Sequence, residues 1–183
     1  MSDPTTPSTT ALEALIRDVP DFPEKGILFK DITPLLGDPD GFQSAINLLS
    51  ALAEENGVTK IVGIDARGFI FAAAVALKVG AGFVPVRKKG KLPWTTKERA
   101  YSLEYGQNVI ELHQDAVKPG EKVLLIDDLL ATGGTAAAAL ELLLELEADV
   151  VAASFLIELK DLNGREEIAK SAPGIPVHAV LRY

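Results

Sequence analysis

The stretch Val123-Leu-Leu-Ile-Asp-Asp-Leu-Leu-Ala-Thr-Gly-Gly-Thr135 decides how this chain is organised. Its four leading apolar residues predict a buried strand, and Asp127 and Asp128 stand where that strand should end. Small residues at 131–135 then predict a turn, followed by an Ala- and Leu-rich helix over about 134–147. Ligands of open α/β sheets bind at the carboxyl ends of strands, and the first N–H groups of a helix attract anions. The stretch therefore predicts a phosphate-binding turn beside two carboxylates.

Two other structures could carry the same pattern. One is an ordinary strand–turn–helix with solvated aspartates, which the second threonine and the lack of lysine in the turn disfavour. The other is the magnesium-holding strand of a P-loop ATPase, a class that needs Gly-x-x-x-x-Gly-Lys-Ser/Thr. The glycines at 63 and 68 have that spacing, but Phe69 and Ile70 stand where Lys and Ser/Thr are required. The sequence therefore disfavours a P-loop enzyme.

Composition narrows the class of protein. The length of 183 residues predicts a single domain over 10–183, and the Ser-, Thr- and Pro-rich residues 1–9 predict a disordered tail. The chain has no cysteine, which excludes disulfides and thiolate metal sites and permits a cytoplasmic location. We expect no signal peptide and no membrane span, because basic and apolar leader segments and long apolar runs are missing. The net charge of −8 argues against nucleic-acid binding.

A basic cluster stands out against this acidic background. Six of the 18 basic residues fall within positions 87–99, which contain one acidic residue, Glu98. A solvated loop would explain the cluster taken alone. Beside a phosphate-binding turn, a focused positive patch for a small polyanion is the better interpretation. The residues in question are Arg87, Lys88, Lys89, Lys91, Lys97 and Arg99.

The stretch at 123–135 resembles the phosphoribosyl-diphosphate loop of the type I phosphoribosyltransferase family. The resemblance implies that Asp127 and Asp128 meet the ribose hydroxyls of the donor. It also implies that the turn holds the donor's 5′-phosphate through Ala131, Thr132, Gly133, Gly134 and Thr135.

A second stretch of the chain repeats this design. Residues 60–65 predict a buried strand, and the turn Ala66-Arg-Gly-Phe69 leads into a helix over 69–79. The turn resembles the diphosphate-binding loop of the same family, in which the peptide bond before Ala66 is often cis. The resemblance implies that the diphosphate is bound by Asp65, Ala66, Arg67, Arg87, Lys88, Lys91 and Tyr105.

The segment 21–34 is punctuated by Pro and Gly and predicts mostly loop, although it is rich in large apolar residues. Those residues could cover the core or form the wall of a binding site. The segment resembles the signature of the adenine-specific members of the family, where a hood, here about 20–36, covers the base. The resemblance implies that Phe29 stacks on the purine, that Leu28 and Lys30 read its edge, and that Leu159 packs on its second face.

Residues 87–107 lack an apolar period and predict a long stretch without regular secondary structure. The segment resembles the mobile catalytic loop of the same adenine-specific enzymes, here about 88–106. The resemblance implies that Glu104 contacts the base near N7 and handles its proton, and that Tyr105 lies against the donor.

The remaining pattern predicts alternating strands and helices. The predicted helices are 10–18, 164–168 and one that Asp38 caps, that begins at Pro39 and that ends before Gly57. The further predicted strands are 82–86, 108–113, 149–159 and 175–180. His113 and His178 are isolated and are interpreted as structural. The order of elements predicts an α/β fold with a mainly parallel twisted sheet flanked by helices, which is also the fold that the resemblance implies.

The resemblance implies a purine-salvage transferase that converts adenine and 5-phosphoribosyl 1-diphosphate to AMP and diphosphate, in the cytoplasm and as a homodimer. The catalytic residues would be Glu104, Asp127, Asp128 and Arg67. The implied cofactor is Mg²⁺, held mainly by the substrate, with no metal ligands of the protein's own. Two alternatives stay open: a related enzyme for another purine base, and a non-catalytic regulator that binds the donor.

Overall fold

The computed structural model describes residues 9–102 and 107–183. Residues 1–8, which hold most of the predicted tail, and residues 103–106, which hold Glu104 and Tyr105, lie outside the described part. The helices are α1 (Thr9–Glu13), α2 (Thr33–Gly37), α3 (Pro39–Asn56), α4 (Gly68–Val79), α5 (Gly134–Glu145) and α6 (Gly164–Ser171). The strands are β1 (Arg17–Pro20), β2 (Leu28–Asp31), β3 (Lys60–Ile64), β4 (Gly82–Lys88), β5 (Thr96–Ser102), β6 (Gln107–His113), β7 (Lys122–Leu130), β8 (Asp149–Glu158) and β9 (Val177–Arg182).

The contacts of the chain form two compact units, one ending at Leu48 and the other running over Leu49–Tyr183. The single domain expected over 10–183 stays a prediction. Among the described residues, no helix combines the length and the apolar character needed to cross a membrane.

The first unit contains an antiparallel ribbon of β1 and β2. The prediction of a helix to about residue 18 was wrong, because α1 ends at Glu13 and Val19 lies in β1. A residue before proline is disfavoured in helical geometry, so Pro20 favours the extended form at Val19. The prediction that 21–34 is mostly loop was also partly wrong, because β2 and the start of α2 lie within it.

Helix α3 begins and ends where its capping residues predicted. The carboxylate Oδ1 of Asp38 accepts a hydrogen bond from the Gly41 N–H at 2.7 Å, which caps the first turn. Pro39 occupies the first helical position, where its missing N–H costs nothing. Gly57 has a left-handed φ of +64°, which suits the position just after the helix.

The second unit is built on one sheet with the strand order β5-β6-β4-β3-β7-β8-β9. The strands from β4 to β9 in this order are parallel, and β5 and β6 form an antiparallel edge. Helices α5 and α6 share a buried core with one face, which includes Val62, Val84 and Leu125. Helix α4 packs on the other face, where Gly63 lies against Ala72. The mainly parallel sheet flanked by helices is thereby confirmed.

The lack of regular structure predicted for 87–107 was wrong for strand β5, which pairs with β6 along its length. The face of β5 that meets α5 carries two charged side chains beside Tyr101. Lys97 Nζ lies 2.6 Å from a carboxylate oxygen of Glu145, and Arg99 Nη2 lies 3.1 Å from the other oxygen. The strand therefore has no apolar period to detect.

Strand β3 lies between β4 and β7. From β3 the chain first adds β4, β5 and β6 on one side of it and then β7, β8 and β9 on the other. This is a topological switch point, where α/β sheets place their ligands. The prediction that β7 ends before Asp127 was wrong, because β7 continues to Leu130. Its partner β8 pairs with it as far as Leu130 opposite Glu158, whereas its pairing with β3 stops at Ile126. The two aspartates therefore lie on β7 just beyond the last residue that pairs with β3.

Candidate active site

The turn predicted at 131–135 is present, and the helix that follows it begins without a side-chain cap. Gly133 has a φ of +84°, a left-handed conformation that glycine adopts without strain, and α5 begins at the next residue. No side chain caps this helix start, so its N–H groups and the positive end of the helix dipole face the turn. A cavity of about 90 Å³ is lined by Asp127, Leu129, Leu130, Ala131, Thr132, Gly133, Gly134, Thr135 and Ala136.

A larger cavity of about 350 Å³ lies at the ends of β3, β4 and β7. It is lined by Ile64, Asp65, Ala66, Arg67, Lys88, Tyr101, Asn108, Asp127, Asp128, Leu129 and Thr135. The peptide bond between Asp65 and Ala66 is cis, and the start of α4 after Arg67 has no side-chain cap. The sequence had assigned no role to Tyr101, Asn108 and Leu129, because nothing in their local pattern places them at a strand end.

The two cavities are adjacent, since Asp127, Leu129 and Thr135 line both of them. One end of the combined space is a ring of backbone around an uncapped helix start. The other end carries the aspartates and cationic side chains. The arrangement suits an extended ligand that has a phosphate at one end, hydroxyls in its middle and a second anionic group beyond them.

Arg67 and Asp128 form an ion pair inside the larger cavity. The Nε of Arg67 donates to Oδ2 of Asp128 at 2.5 Å, and the carboxylate of Asp128 is buried while the guanidinium is half exposed. The sequence predicted both residues at the site but not their contact. One of the five guanidinium donors therefore holds the carboxylate of Asp128, which fixes the orientation of Arg67.

The carboxyl group of Asp127 lies in an environment that shifts its pKa. Burial, and then the nearby charge of Asp128, raise the pKa of Asp127 well above its usual value. A hydrogen bond from the Asp128 N–H to Oδ1 of Asp127, 2.9 Å long, and the charge of Arg67 act in the opposite direction. A Cβ atom at Gly68 would collide with the same Oδ1. Glycine at the start of α4 is thus what allows the carboxylate to lie there.

Arg87 connects three parts of the site. Its Nε donates to Oδ2 of Asp65 at 3.0 Å, and its Nη1 donates to the carbonyl oxygen of Lys91 at 3.2 Å. Its Cζ lies 6.0 Å from the ring centroid of Phe69, within the range of a cation–π contact. The contact of Lys91 with Arg87 is made by its backbone. Arg87 therefore ties the loop after β3 to the loop after β4.

The basic cluster predicted at 87–99 does not form one focused patch. Lys88 lines the larger cavity, but Lys89 Nζ lies 2.6 Å from Glu98. Lys97 and Arg99 are paired with glutamates of α5. Glu141 and Glu145 are more than 40 positions away in the sequence, so a count of charges along the cluster included Glu98 but missed these two partners.

Glu111 was not predicted by the sequence as part of the site. This buried side chain on β6 accepts hydrogen bonds through Oε1 from the N–H groups of Lys91 at 2.8 Å and Leu92 at 2.7 Å. Burial raises the pKa of Glu111, but hydrogen bonds from the backbone of Leu92, Gly90 and Lys91 outweigh it and leave the pKa below its usual value. Glu111 therefore anchors the loop after β4 as a carboxylate.

Replacing Glu111 by glutamine is expected to destabilise the protein by about 1–3 kcal/mol, because a buried acceptor loses its charge and buried N–H groups lose strong partners. The loss should shrink as the pH falls, because the lowered pKa of Glu111 contributes stability that disappears when this carboxylate is protonated. Thermal melts between pH 3 and 8 measure this, with exposed Glu55→Gln as the control. Equal melting temperatures for the wild type and Glu111→Gln at neutral pH would contradict the anchoring role.

Leu159 follows β8 directly, and its N–H donates to the carbonyl oxygen of Leu130 at 2.9 Å, beside the phosphate-binding turn. Leu28, Phe29 and Lys30 lie in β2 of the first unit. Leu28 is about half exposed, and Phe29 packs edge-on against Phe22 with ring centroids 5.2 Å apart. Lys30 Nζ donates to Asp18 at 2.6 Å. Glu104 and Tyr105 lie outside the described residues.

The fold and this site define a class of protein. The family described as "Phosphoribosyl transferase domain" matches residues 35–174 of this chain. The matched residues include every residue that lines the two cavities.

Curated relatives narrow the class. An adenine phosphoribosyltransferase of Solidesulfovibrio magneticus is 57% identical over 157 residues, which cover 86% of this chain and 92% of the relative. One from Rhodopseudomonas palustris strain BisB5 is 52% identical over 172 residues, covering 94% of each chain. The chain belongs to the adenine phosphoribosyltransferase family, within the type I phosphoribosyltransferases.

Solved structures of adenine phosphoribosyltransferases have the same fold as this chain. The crystal structure of adenine phosphoribosyltransferase from Rhodothermus marinus has a TM-score of 0.88 at 51% identity and covers 96% of this chain and 100% of its own. The enzyme from Saccharomyces cerevisiae has a TM-score of 0.88 at 39% identity and covers 94% and 98%. That yeast enzyme was crystallised with adenine and a bisphosphate, D-2,5-dideoxy-2,5-imino-altritol 1,6-bisphosphate.

Proposed function

We propose that this chain transfers the 5-phosphoribosyl group of 5-phosphoribosyl 1-diphosphate to adenine, giving AMP and diphosphate in purine salvage. The observation that carries the proposal is the pair of adjacent cavities that share Asp127, Leu129 and Thr135. One offers backbone N–H groups at an uncapped helix start, and the other offers carboxylates and cations. This is the order of groups that a ribose with a 5′-phosphate and a 1-diphosphate requires.

The donor is bound from its 5′-phosphate outward. The phosphate occupies the turn at 131–135, where the N–H groups at the start of α5 donate to its oxygens. The ribose hydroxyls face Asp127 and Asp128. The diphosphate lies toward Asp65, Ala66, Arg67 and Lys88, with Arg87 and Lys91 behind them. Charge-assisted hydrogen bonds of this kind contribute about 1.5–3 kcal/mol each, so a few of them fix the donor.

Breaking the bond from C1′ to diphosphate builds positive charge on the sugar and negative charge on the leaving group. The carboxylates of Asp127 and Asp128 have the sign that stabilises the sugar cation, as carboxylates do in glycoside cleavage. Arg67 and Lys88 have the sign that stabilises the departing diphosphate. Because Asp128 holds Arg67 at 2.5 Å, the positions of this anion and this cation are fixed relative to each other before the donor binds.

The base is bound and deprotonated by residues whose roles rest on the family resemblance. Phe29 stacks on the adenine ring, the backbone at Leu28 and Lys30 reads its edge, and Leu159 packs on its second face. Glu104 handles the base proton, and Tyr105 lies against the donor. By the same resemblance, the segment 88–106, within which β5 is paired with β6, closes over the substrates and excludes water from the sugar cation.

Mg²⁺ is the proposed cofactor and is carried mainly by the donor. Among the described residues, no group of three or more His, Cys, Asp or Glu side chains could hold a metal ion. Asp65, Asp127 and Asp128 are the carboxylates that line the larger cavity, and Asp65 and Asp128 are already paired with Arg87 and Arg67. This set fits an ion that keeps waters and phosphate oxygens as its main ligands. Bound there, Mg²⁺ would offset charge on the diphosphate.

The decisive experiment is to measure AMP formation from adenine, the phosphoribosyl donor and Mg²⁺, with hypoxanthine, guanine and xanthine as parallel substrates. We expect turnover with adenine far above the other bases. Faster turnover with another base would show that the protein is a phosphoribosyltransferase for that base and not for adenine. Donor binding without turnover on any of the four bases would indicate a regulator and overturn the proposal.

We also propose that the protein is a homodimer and that it is located in the cytoplasm. The second unit exposes large apolar side chains on neighbouring elements: Ile70 is 41%, Leu77 86% and Phe83 38% exposed. Ile70 and Leu77 are two helical turns apart on one side of α4, and large apolar side chains exposed on one side of an element are the kind that an interface covers. The chain's lack of cysteine is compatible with the reducing cytoplasm.

Replacing Leu77 by glutamate is expected to convert the dimer to monomer, because a charge would be buried in the apolar interface. Light scattering coupled to size-exclusion chromatography measures the mass against the 19.5 kDa of one chain. The control is Leu162→Glu, at another exposed leucine that lies beyond β8. A dimer that survives Leu77→Glu, or a monomeric wild type, would contradict this assignment of the interface.

A further inference from the structure

The first residue of α6 lies directly behind the phosphate-binding turn. A Cβ atom at Gly133 would collide with the carbonyl oxygen of Gly164, and one at Gly164 would collide with the carbonyl oxygen of Ala131. A Cβ atom at Gly164 would also lie 2.8 Å from Cδ1 of Leu130. The turn and the start of α6 are therefore in contact backbone to backbone, with no room for a side chain between them.

The two glycines are required for different reasons. Gly133 has a left-handed φ of +84°, so its conformation alone favours glycine. Gly164 has no such φ, so any residue could adopt its backbone conformation. What excludes a side chain at 164 is only the closeness of the turn.

An ion cluster around the buried carboxylate of Glu158 holds α6 in this place. Arg165 donates from Nε to Oε1 of Glu158 at 2.7 Å and from Nη2 to Oε2 at 2.8 Å, and from Nη1 to the carbonyl oxygen of Val177 at 2.5 Å. Arg182 Nε donates to the same carboxylate at 2.8 Å. Glu158 is only 4% exposed, and the hydrogen bonds from Arg165 hold its pKa below the usual value. A two-pronged Arg–carboxylate pair fixes direction as well as distance.

We propose that Gly164 is a positioning residue for the donor's 5′-phosphate. By leaving α6 in contact with the turn, it fixes the orientation of the N–H groups at the start of α5, and the Glu158–Arg165 pair keeps α6 from moving away. Hydrogen bonds weaken steeply when their angle is lost, so a displaced turn binds the phosphate poorly. This inference rests on the proposed function, because it names what supports the phosphate end of that same site.

The test compares binding of AMP with binding of adenosine, which lacks the phosphate, by calorimetry. Gly164→Ala should raise the Kd for AMP at least about tenfold and change the Kd for adenosine less than about twofold. The control is Gly37→Ala, where an added Cβ would meet no atom within 4 Å and the backbone is not left-handed. Retention of AMP affinity in Gly164→Ala, or an equal loss for both ligands, would overturn the inference.

Arg165→Lys provides a second variant if Gly164→Ala does not fold. It keeps the charge beside Glu158 and loses the fork, so AMP affinity should fall several-fold while adenosine affinity stays the same. Unchanged AMP affinity in this variant would also overturn the inference. A wild-type protein that binds AMP no better than adenosine would instead indicate that the proposed function has failed, since no phosphate site would exist to be positioned.

Discussion

Replacing Arg67 by alanine is expected to lower kcat about 10²–10³-fold, the largest loss that we expect from one side chain of the described site. The guanidinium faces the cavity in which the leaving diphosphate would develop its charge, and its removal leaves that charge without a partner. The same change should destabilise the protein by about 1–3 kcal/mol, because the buried carboxylate of Asp128 loses its ion pair.

Steady-state kinetics with varied donor and varied adenine, together with thermal melts, measure both effects. Arg67→Lys should be intermediate, because lysine restores a charge without the planar fork that reaches Asp128 and the donor together. Lys170→Ala, at an exposed ion pair with Glu167, is the control and should change neither quantity appreciably. Normal kcat in Arg67→Ala would remove Arg67 from the proposed mechanism.

Replacing Asp127 by asparagine should have effects of opposite sign on stability and on activity. The pKa of Asp127 is raised by burial and by Asp128, so the folded protein binds a proton there more tightly than the unfolded chain does. The stability that comes from this group is present at low pH and is lost as the pH rises from the unfolded pKa of about 3.9 toward the raised folded value. At neutral pH the neutral amide should therefore stabilise the protein, by about 0.5–2 kcal/mol. Turnover should fall about a hundredfold, because the amide cannot offset positive charge on the sugar.

Melting temperatures of the wild type and Asp127→Asn from pH 4 to pH 8 measure the stability effect. The gain should be smallest near pH 4 and should grow with pH. Asp115→Asn, at an exposed aspartate, is the control and should show no such trend. If Asp127→Asn melts at a lower temperature than the wild type at pH 8, the charged carboxylate of Asp127 does not destabilise the folded protein, and this prediction is wrong.

The sequence predicted the elements that are long and strongly patterned. The apolar runs of β3, β4 and β7 and the 3.6-residue period of α3 are local signals, and the structure has a strand or helix at each. It failed at the short ribbon β1–β2, whose four-residue strands carry little periodicity. It failed again at β5, where ion pairs to α5 replace the apolar contacts that a period would reveal.

In the candidate site, too, local features could be predicted from the sequence and long-range contacts could not. The sequence by itself determined the turn and the uncapped helix start that we propose as the phosphate site, because such a helix start after glycine is specified within a few residues. Only the tertiary structure decided which charges meet. Arg67 lies 61 positions from Asp128, Arg87 lies 22 from Asp65, and Glu111 lies 20 from Lys91. The contact of Gly164 with the turn likewise depends on how β8 and α6 return to it. The physical reason is that helix starts and turns are set by neighbours along the chain, whereas ion pairs and buried anchors are set by which strands the sheet places side by side.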